Sequence, residues 1–87
     1  VSVRIEPGHE QEARSGLVHE VLPMVKSAPG FMAGYWFDAE GGRGESIVMW
    51  DTKEHADGAA SRLQPGAHPG PGVTVETIRV REVLEHL

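Results

Sequence analysis

The chain contains no cysteine. That excludes a disulfide framework, a thiolate zinc site, an iron–sulfur cluster and a cysteine nucleophile, and it fits a reducing compartment, so a cytoplasmic location is expected. Basic residues are scarce: eight Lys and Arg stand against thirteen Asp and Glu, a formal charge of -5, with no basic cluster. Nucleic acid is accordingly not an expected partner. No apolar run reaches the ~18–20 residues of a membrane span, and no basic-then-apolar leader opens the sequence, so no membrane association is expected. Gly41, Gly42 and Gly44 lie between two β-rich runs rather than at a strand-to-helix turn, which argues against a phosphate loop. A Gly-x-Ser-x-Gly elbow and a close Ser/His/Asp set are also missing, which disfavours hydrolysis through a serine nucleophile.

What is present fits one domain over residues 1–87, since a chain well under about 150 residues seldom splits into two cores. A domain of this size buries only roughly 60–65% of its extended-chain surface. Two β-rich runs dominate it: Phe31 to Phe37 and Ser46 to Asp51, joined through a turn at Gly41, Gly42, Arg43 and Gly44. Both runs are apolar on both sides of the pleat, where a sheet with one solvated face would alternate. Both faces must therefore be covered, and a chain with room for two helices covers only one. A second copy is the expected cover for the other.

Around that hairpin the periodicity is clear. Val1, Val3 and Ile5 alternate with Ser2, Arg4 and Glu6 up to Pro7-Gly8, a first strand. From His9, the apolar Ala13, Leu17, Val18, Val21, Leu22 and Val25 recur at helical spacing, with Glu10 and Glu12 suiting the start of the helix. Pro23 predicts a kink or break within it, and Pro29-Gly30 ends the element. After Trp50, Asp51 or Thr52 is placed to cap a smaller helix carrying His55, Ala56, Ala59, Ala60 and Leu63. Gln64 to Gly72 holds three of the six prolines and three glycines, a loop expected to exchange its amides fast. Val73 to Leu84 reads as a long last strand whose apolar parity changes, placing a bulge near Glu76 or Thr77. The order strand, helix, strand, strand, helix, strand predicts an α+β, ferredoxin-like βαββαβ fold with a four-stranded antiparallel sheet and two helices on one face.

With that order, Pro29-Gly30-Phe31, Tyr35, Trp50-Asp51 and the helix start Glu54-His55-Ala56, the chain resembles the antibiotic biosynthesis monooxygenase family of dimeric α/β barrels along nearly its whole length. The resemblance implies two sheets facing each other across a homodimer, a last strand reaching onto the partner, and a ligand cleft between each sheet and its own helices. It also implies cofactor-independent oxygenation of a hydroxylated aromatic or quinol-type molecule. The haem-degrading branch of such proteins uses an asparagine in the first strand and a histidine well into the second helix. Here Val1 to Glu6 contain no asparagine and His55 comes in the first turn, so haem degradation is not the expected activity.

Trp50, Tyr35, His55 and Arg4 are the candidate site residues. Indole N–H and phenol O–H groups need partners when buried, which is how an apolar cleft acquires polar contacts, although plain core packing accounts for the same aromatics. An even hairpin loop puts Phe31, Tyr35 and Phe37 on one face with Val48 and Trp50, and Trp36 on the other with Ile47 and Met49; an odd loop swaps that grouping. A neutral His55 imidazole is suited to accept a phenol proton, and Arg4 either stabilises an anion or pairs with a carboxylate such as Glu6 or Glu82. Arg79 and Arg81 read as interface or surface charges. Of the five histidines, His9, His19, His68 and His86 read as surface residues, and no pair has i, i+4 or His-x-His spacing, so neither metal nor other cofactor is expected.

Two functions stay open at this level: a small cofactor-free monooxygenase, and a non-catalytic dimeric module that binds a small apolar ligand or acts as a scaffold. Both need the same assembly. Light scattering at micromolar concentration is expected to give twice the chain mass, for an interface of well over ~1,000 Å²; a monomer mass would contradict the two-faced reading of the hairpin.

Overall fold

The computed structural model describes residues 1–85, so His86 lies outside the described residues. Strand β1 (Ser2–Ile5) leads into three joined helical segments: α1 (Glu10–Gly16), a π-helical turn (Leu17–Val21) and α2 (Leu22–Lys26). Then come β2 (Phe31–Trp36), β3 (Arg43–Trp50), α3 (Lys53–Ala60) and β4 (Val73–Thr77). The strands form one four-stranded sheet in the order β2-β3-β1-β4, every neighbouring pair antiparallel. This α+β arrangement, with β1 inserted between β3 and β4, is compatible with the ferredoxin-like order. No described helix is long and apolar enough to cross a membrane.

Pro23 does not break the first helical run. A proline lacks the N–H that closes a helical turn, and its ring presses on the carbonyl four residues back, here that of His19. The distortion lies one turn earlier: the Leu22 amide donates to the Leu17 carbonyl, five residues back, in the widened geometry of a π turn. The half-buried stripe is Ala13, Leu17, Val21, Leu22 and Val25. Val18, expected on it, is 48% exposed.

The hairpin turn is tighter than expected. Gly41 and Gly42 both have positive φ, +61° and +76°, and Glu40 and Arg43 exchange two backbone hydrogen bonds across them at 3.0 and 3.1 Å. A two-residue turn of this kind matches the right-handed twist of the strands. Arg43 and Gly44, expected in the turn, are therefore the first residues of β3.

Register fixes the faces. Tyr35 pairs with Ile47, Gly34 with Val48 and Trp36 with Ser46, the odd-loop alternative. A bulge at Met32 then shifts the pairing so that Phe31 lies opposite Trp50. Val3 pairs with Gly44 and with Val75, and Ile5 with Val73. On the face so defined, Val3, Ile5, Phe31, Trp36, Gly44, Val48, Trp50, Val73 and Val75 are all buried or half-buried. The opposite face carries exposed Arg4, Arg43, Glu45, Tyr35 and Ile47. The expected irregularity near Glu76 is present, since Ser2 pairs with Thr77 but Val3 with Val75.

Two expectations need correction. The last strand stops at Thr77, and residues 78–85 have no regular structure. Thr77 pairs with Ser2, the first residue of β1, and among the described residues no ladder partner is present beyond that pair. Val80, Val83 and Leu84 are consequently 37%, 48% and 93% exposed. The proline-rich loop forms neither helix nor strand, yet it is tied down. The Gly66 amide donates to the Val75 carbonyl at 2.8 Å, the Val75 amide to the Ala67 carbonyl at 2.9 Å, and the His68 ring bonds the Val73 carbonyl at 3.1 Å.

Hydrogen exchange should therefore find the Gly66 amide protected, against the sequence expectation for its loop, together with the Val75 amide of β4. Val75, 2% exposed, should cost ~2 kcal/mol when cut to alanine, whereas Leu84→Ala should stay within ~0.5 kcal/mol. Urea unfolding of the two variants checks the contrast.

Candidate functional site

The site is built where β2 begins and β3 ends. Gly30 has φ +82°, a conformation that turns the chain into β2 and that side-chain-bearing residues rarely adopt. Its carbonyl accepts the Asp51 amide at 2.9 Å, tying the two strand ends together. Thr52, in extended geometry, caps α3: its Oγ1 accepts the His55 amide at 3.1 Å. Of the two candidate caps, Thr52 takes the role, and Asp51 is left for another.

That role is visible in the next contact. Because α3 starts directly after the cap, His55 stands one turn beyond Asp51, and its Nδ1 lies 2.6 Å from Asp51 Oδ1. The two side chains are 42% and 49% exposed. The hydrogen bond with His55 is the largest of the causes that hold the Asp51 carboxyl below its ordinary 3.8. Its contribution to stability is present above that ordinary value and is lost as the pH falls further, through the lowered folded value. A Cβ at position 30 would collide with both Asp51 Oδ1 and the His55 ring, so any side chain there requires the pair to move apart and holds the backbone at an unfavourable positive φ.

On the covered side of the same strand ends, the Phe31 and Trp50 rings stand 6.0 Å apart at 55°, a tilted aromatic contact. Trp50 and His55 thus belong to one corner of the sheet. Tyr35 and Arg4 do not. Tyr35 is 60% exposed on the opposite face, and Arg4 lies on that face in β1, with Arg43 as its cross-strand partner. Among the described residues Arg4 makes no ion pair, with Glu6, Glu82 or any other carboxylate. Arg43 instead meets Glu76, Nε to Oε1 at 3.2 Å, and Glu6 lies 4.0 Å from the His9 ring.

Open depressions among the described residues include one of about 260 Å³ beside Arg4, Arg43, Glu40 and Glu76 and one of about 220 Å³ between Phe37, Ile47 and Ile78. Neither is lined by Trp50 or His55. Among the described residues no group of three or more His, Asp or Glu side chains gathers as a metal site would require. The residue that sequence reasoning missed is Asp51. Its signal was the four-residue spacing to His55 across the cap, which reads first as a helix start. No family model, no curated protein and no solved structure matches this chain.

Gly30→Ala should break the Asp51–His55 contact and cost more than ~1 kcal/mol, since it adds both an unfavourable φ and a steric clash. The same change at Gly66, which has a positive φ but open space around it, should cost less. A thermal midpoint for each variant decides between a packed pair and a loose surface contact.

Proposed function

We propose that this protein is a homodimeric, cofactor-independent monooxygenase-like protein of the dimeric α/β barrel type, acting on a hydroxylated aromatic or quinol-type small molecule. The observation that carries this reading is the corner itself: a tilted Phe31–Trp50 pair beside a half-exposed imidazole already bonded to a carboxylate. An electron-rich aromatic needs a flat apolar surface to lie on and a base to remove its hydroxyl proton. Trp50 supplies the first and His55 the second. The phenolate so formed is the species that donates electrons to O₂.

Self-association is supported by the other face. Tyr35, Phe37 and Ile47 are each more than half exposed, at 60%, 54% and 54%, a contiguous apolar patch of the kind that marks an interface. In the proposed dimer this face meets its symmetry mate, Tyr35 serves the interface rather than the ligand, and Arg4 lies at the rim. A second reading, a non-catalytic ligand-binding or scaffold module, is favoured by one observation: neither described depression reaches Trp50.

The two readings separate on Trp50→Phe. Most of the apolar area survives that change, so the cost in stability should be about 1–2 kcal/mol. Oxygen uptake with a panel of dihydroxy-aromatic substrates under metal-free conditions should be measurable for the parent protein and strongly reduced for the variant. No uptake by the parent with any member of the panel, together with a lowered thermal midpoint for the variant, favours the non-catalytic module.

A further inference from the structure

Resting on that reading and deepening it, we infer that Asp51 is a positioning residue: it holds His55 in the tautomer protonated at Nδ1 and leaves Nε2 as the acceptor for the proton of a ligand phenol or enol. The geometry of the corner carries this. An ionised carboxylate only accepts hydrogen bonds, so at 2.6 Å the proton between Asp51 Oδ1 and His55 Nδ1 belongs to the ring nitrogen. A neutral imidazole has one N–H and one lone pair, and fixing the N–H at Nδ1 puts the lone pair on Nε2. Two further contacts hold the arrangement, the Asp51 amide bonded to the Gly30 carbonyl and the His55 amide bonded to Thr52 Oγ1, and the absence of a side chain at Gly30 leaves room for both partners.

The same helix contains a control. Lys53 and Asp57 are also four residues apart and also 2.6 Å in contact, but the lysine is 81% exposed. A surface pair of that kind contributes little. The Asp51–His55 pair differs in being framed by the junction of two strand ends and a helix cap, which is the arrangement an oriented base requires. The proton step balances without any co-reactant. The ligand O–H bond breaks and leaves its electron pair on oxygen, an N–H bond forms at His55 Nε2, and Asp51 keeps its negative charge opposite the imidazolium.

The test has two arms on the full chain. In the first, nitrogen-15 NMR of the histidine side chains, at a pH where His55 is neutral, reads the tautomer directly. The wild type should show a protonated Nδ1 and an unprotonated Nε2, and Asp51→Ala, or the isosteric Asp51→Asn if alanine impairs folding, should lose that dominance. In the second, 4-nitrocatechol serves as the probe because its visible absorption reports ionisation. Below its own ionisation range it should become ionised on binding to the wild type, with the effect falling about tenfold or more in His55→Gln and in the Asp51 variant. An Nε2–H tautomer in the wild type, or a tautomer unchanged by the Asp51 variants, overturns the inference. The expected tautomer with a bound but un-ionised probe overturns the acceptor role. The expected tautomer with no probe binding overturns the hydroxylated-aromatic reading instead and leaves the positioning role standing.

Discussion

Two helical stretches can cover one face of a four-stranded sheet, and the architecture here follows from that shortage. Val3, Ile5, Val48, Trp50, Val73 and Val75 share the covered face, yet among the described hydrophobic residues only Val73, Val75 and Ala60 are buried outright. A core that small supplies little of the burial that must offset chain entropy. The opposite face has Tyr35 and Ile47 directly paired across β2 and β3 and more than half exposed. The segment after Thr77 has the same character: apolar side chains without a strand in the chain to pair with. Both features are reasons to expect a second copy, and they are independent of any functional reading.

One bulge links this architecture to the candidate site. Through Tyr35–Ile47 and Ala33–Met49 the register is regular, and continued without interruption it would set Phe31 opposite Asp51, on the open face beside Tyr35. The extra residue, Met32, moves Phe31 across the sheet to Trp50. A bulge re-aims the side chains beyond it. Here it closes an aromatic pair on the covered side and frees Asp51 at the strand end to meet His55.

The order of the elements was legible because period, glycine and proline carry it: alternation in Val1 to Ile5, helical spacing from Ala13 to Val25, and Pro29-Gly30 between them. The bulge near Glu76 was legible too, since a change of apolar parity has few other causes. The length of the last strand was not, because a strand persists only where a neighbour pairs with it, and the apolar pattern of Val80, Val83 and Leu84 does not itself show whether one does. The face of Tyr35 was undetermined for another reason: the two-residue turn pairs Glu40 with Arg43 and alone would set the even-loop register, and one extra residue between Phe37 and Glu40 turns it into the odd one. Half of the candidate site was readable as residue types, Trp50 and His55. Its organising contact was not, since Asp51 and His55 around Thr52 carry the same signature as an ordinary capped helix.

The central claim is that a second copy completes this fold by covering the Tyr35 and Ile47 face. The most direct test is the thermal midpoint as a function of protein concentration, for the parent chain and for Ile47→Lys. A fold stabilised by association must melt higher as concentration rises, so the parent midpoint should climb steadily over about a hundredfold range, while the charged variant melts lower and depends differently on concentration. A parent midpoint that stays constant over that range, and is matched by the Ile47→Lys protein, would contradict the account.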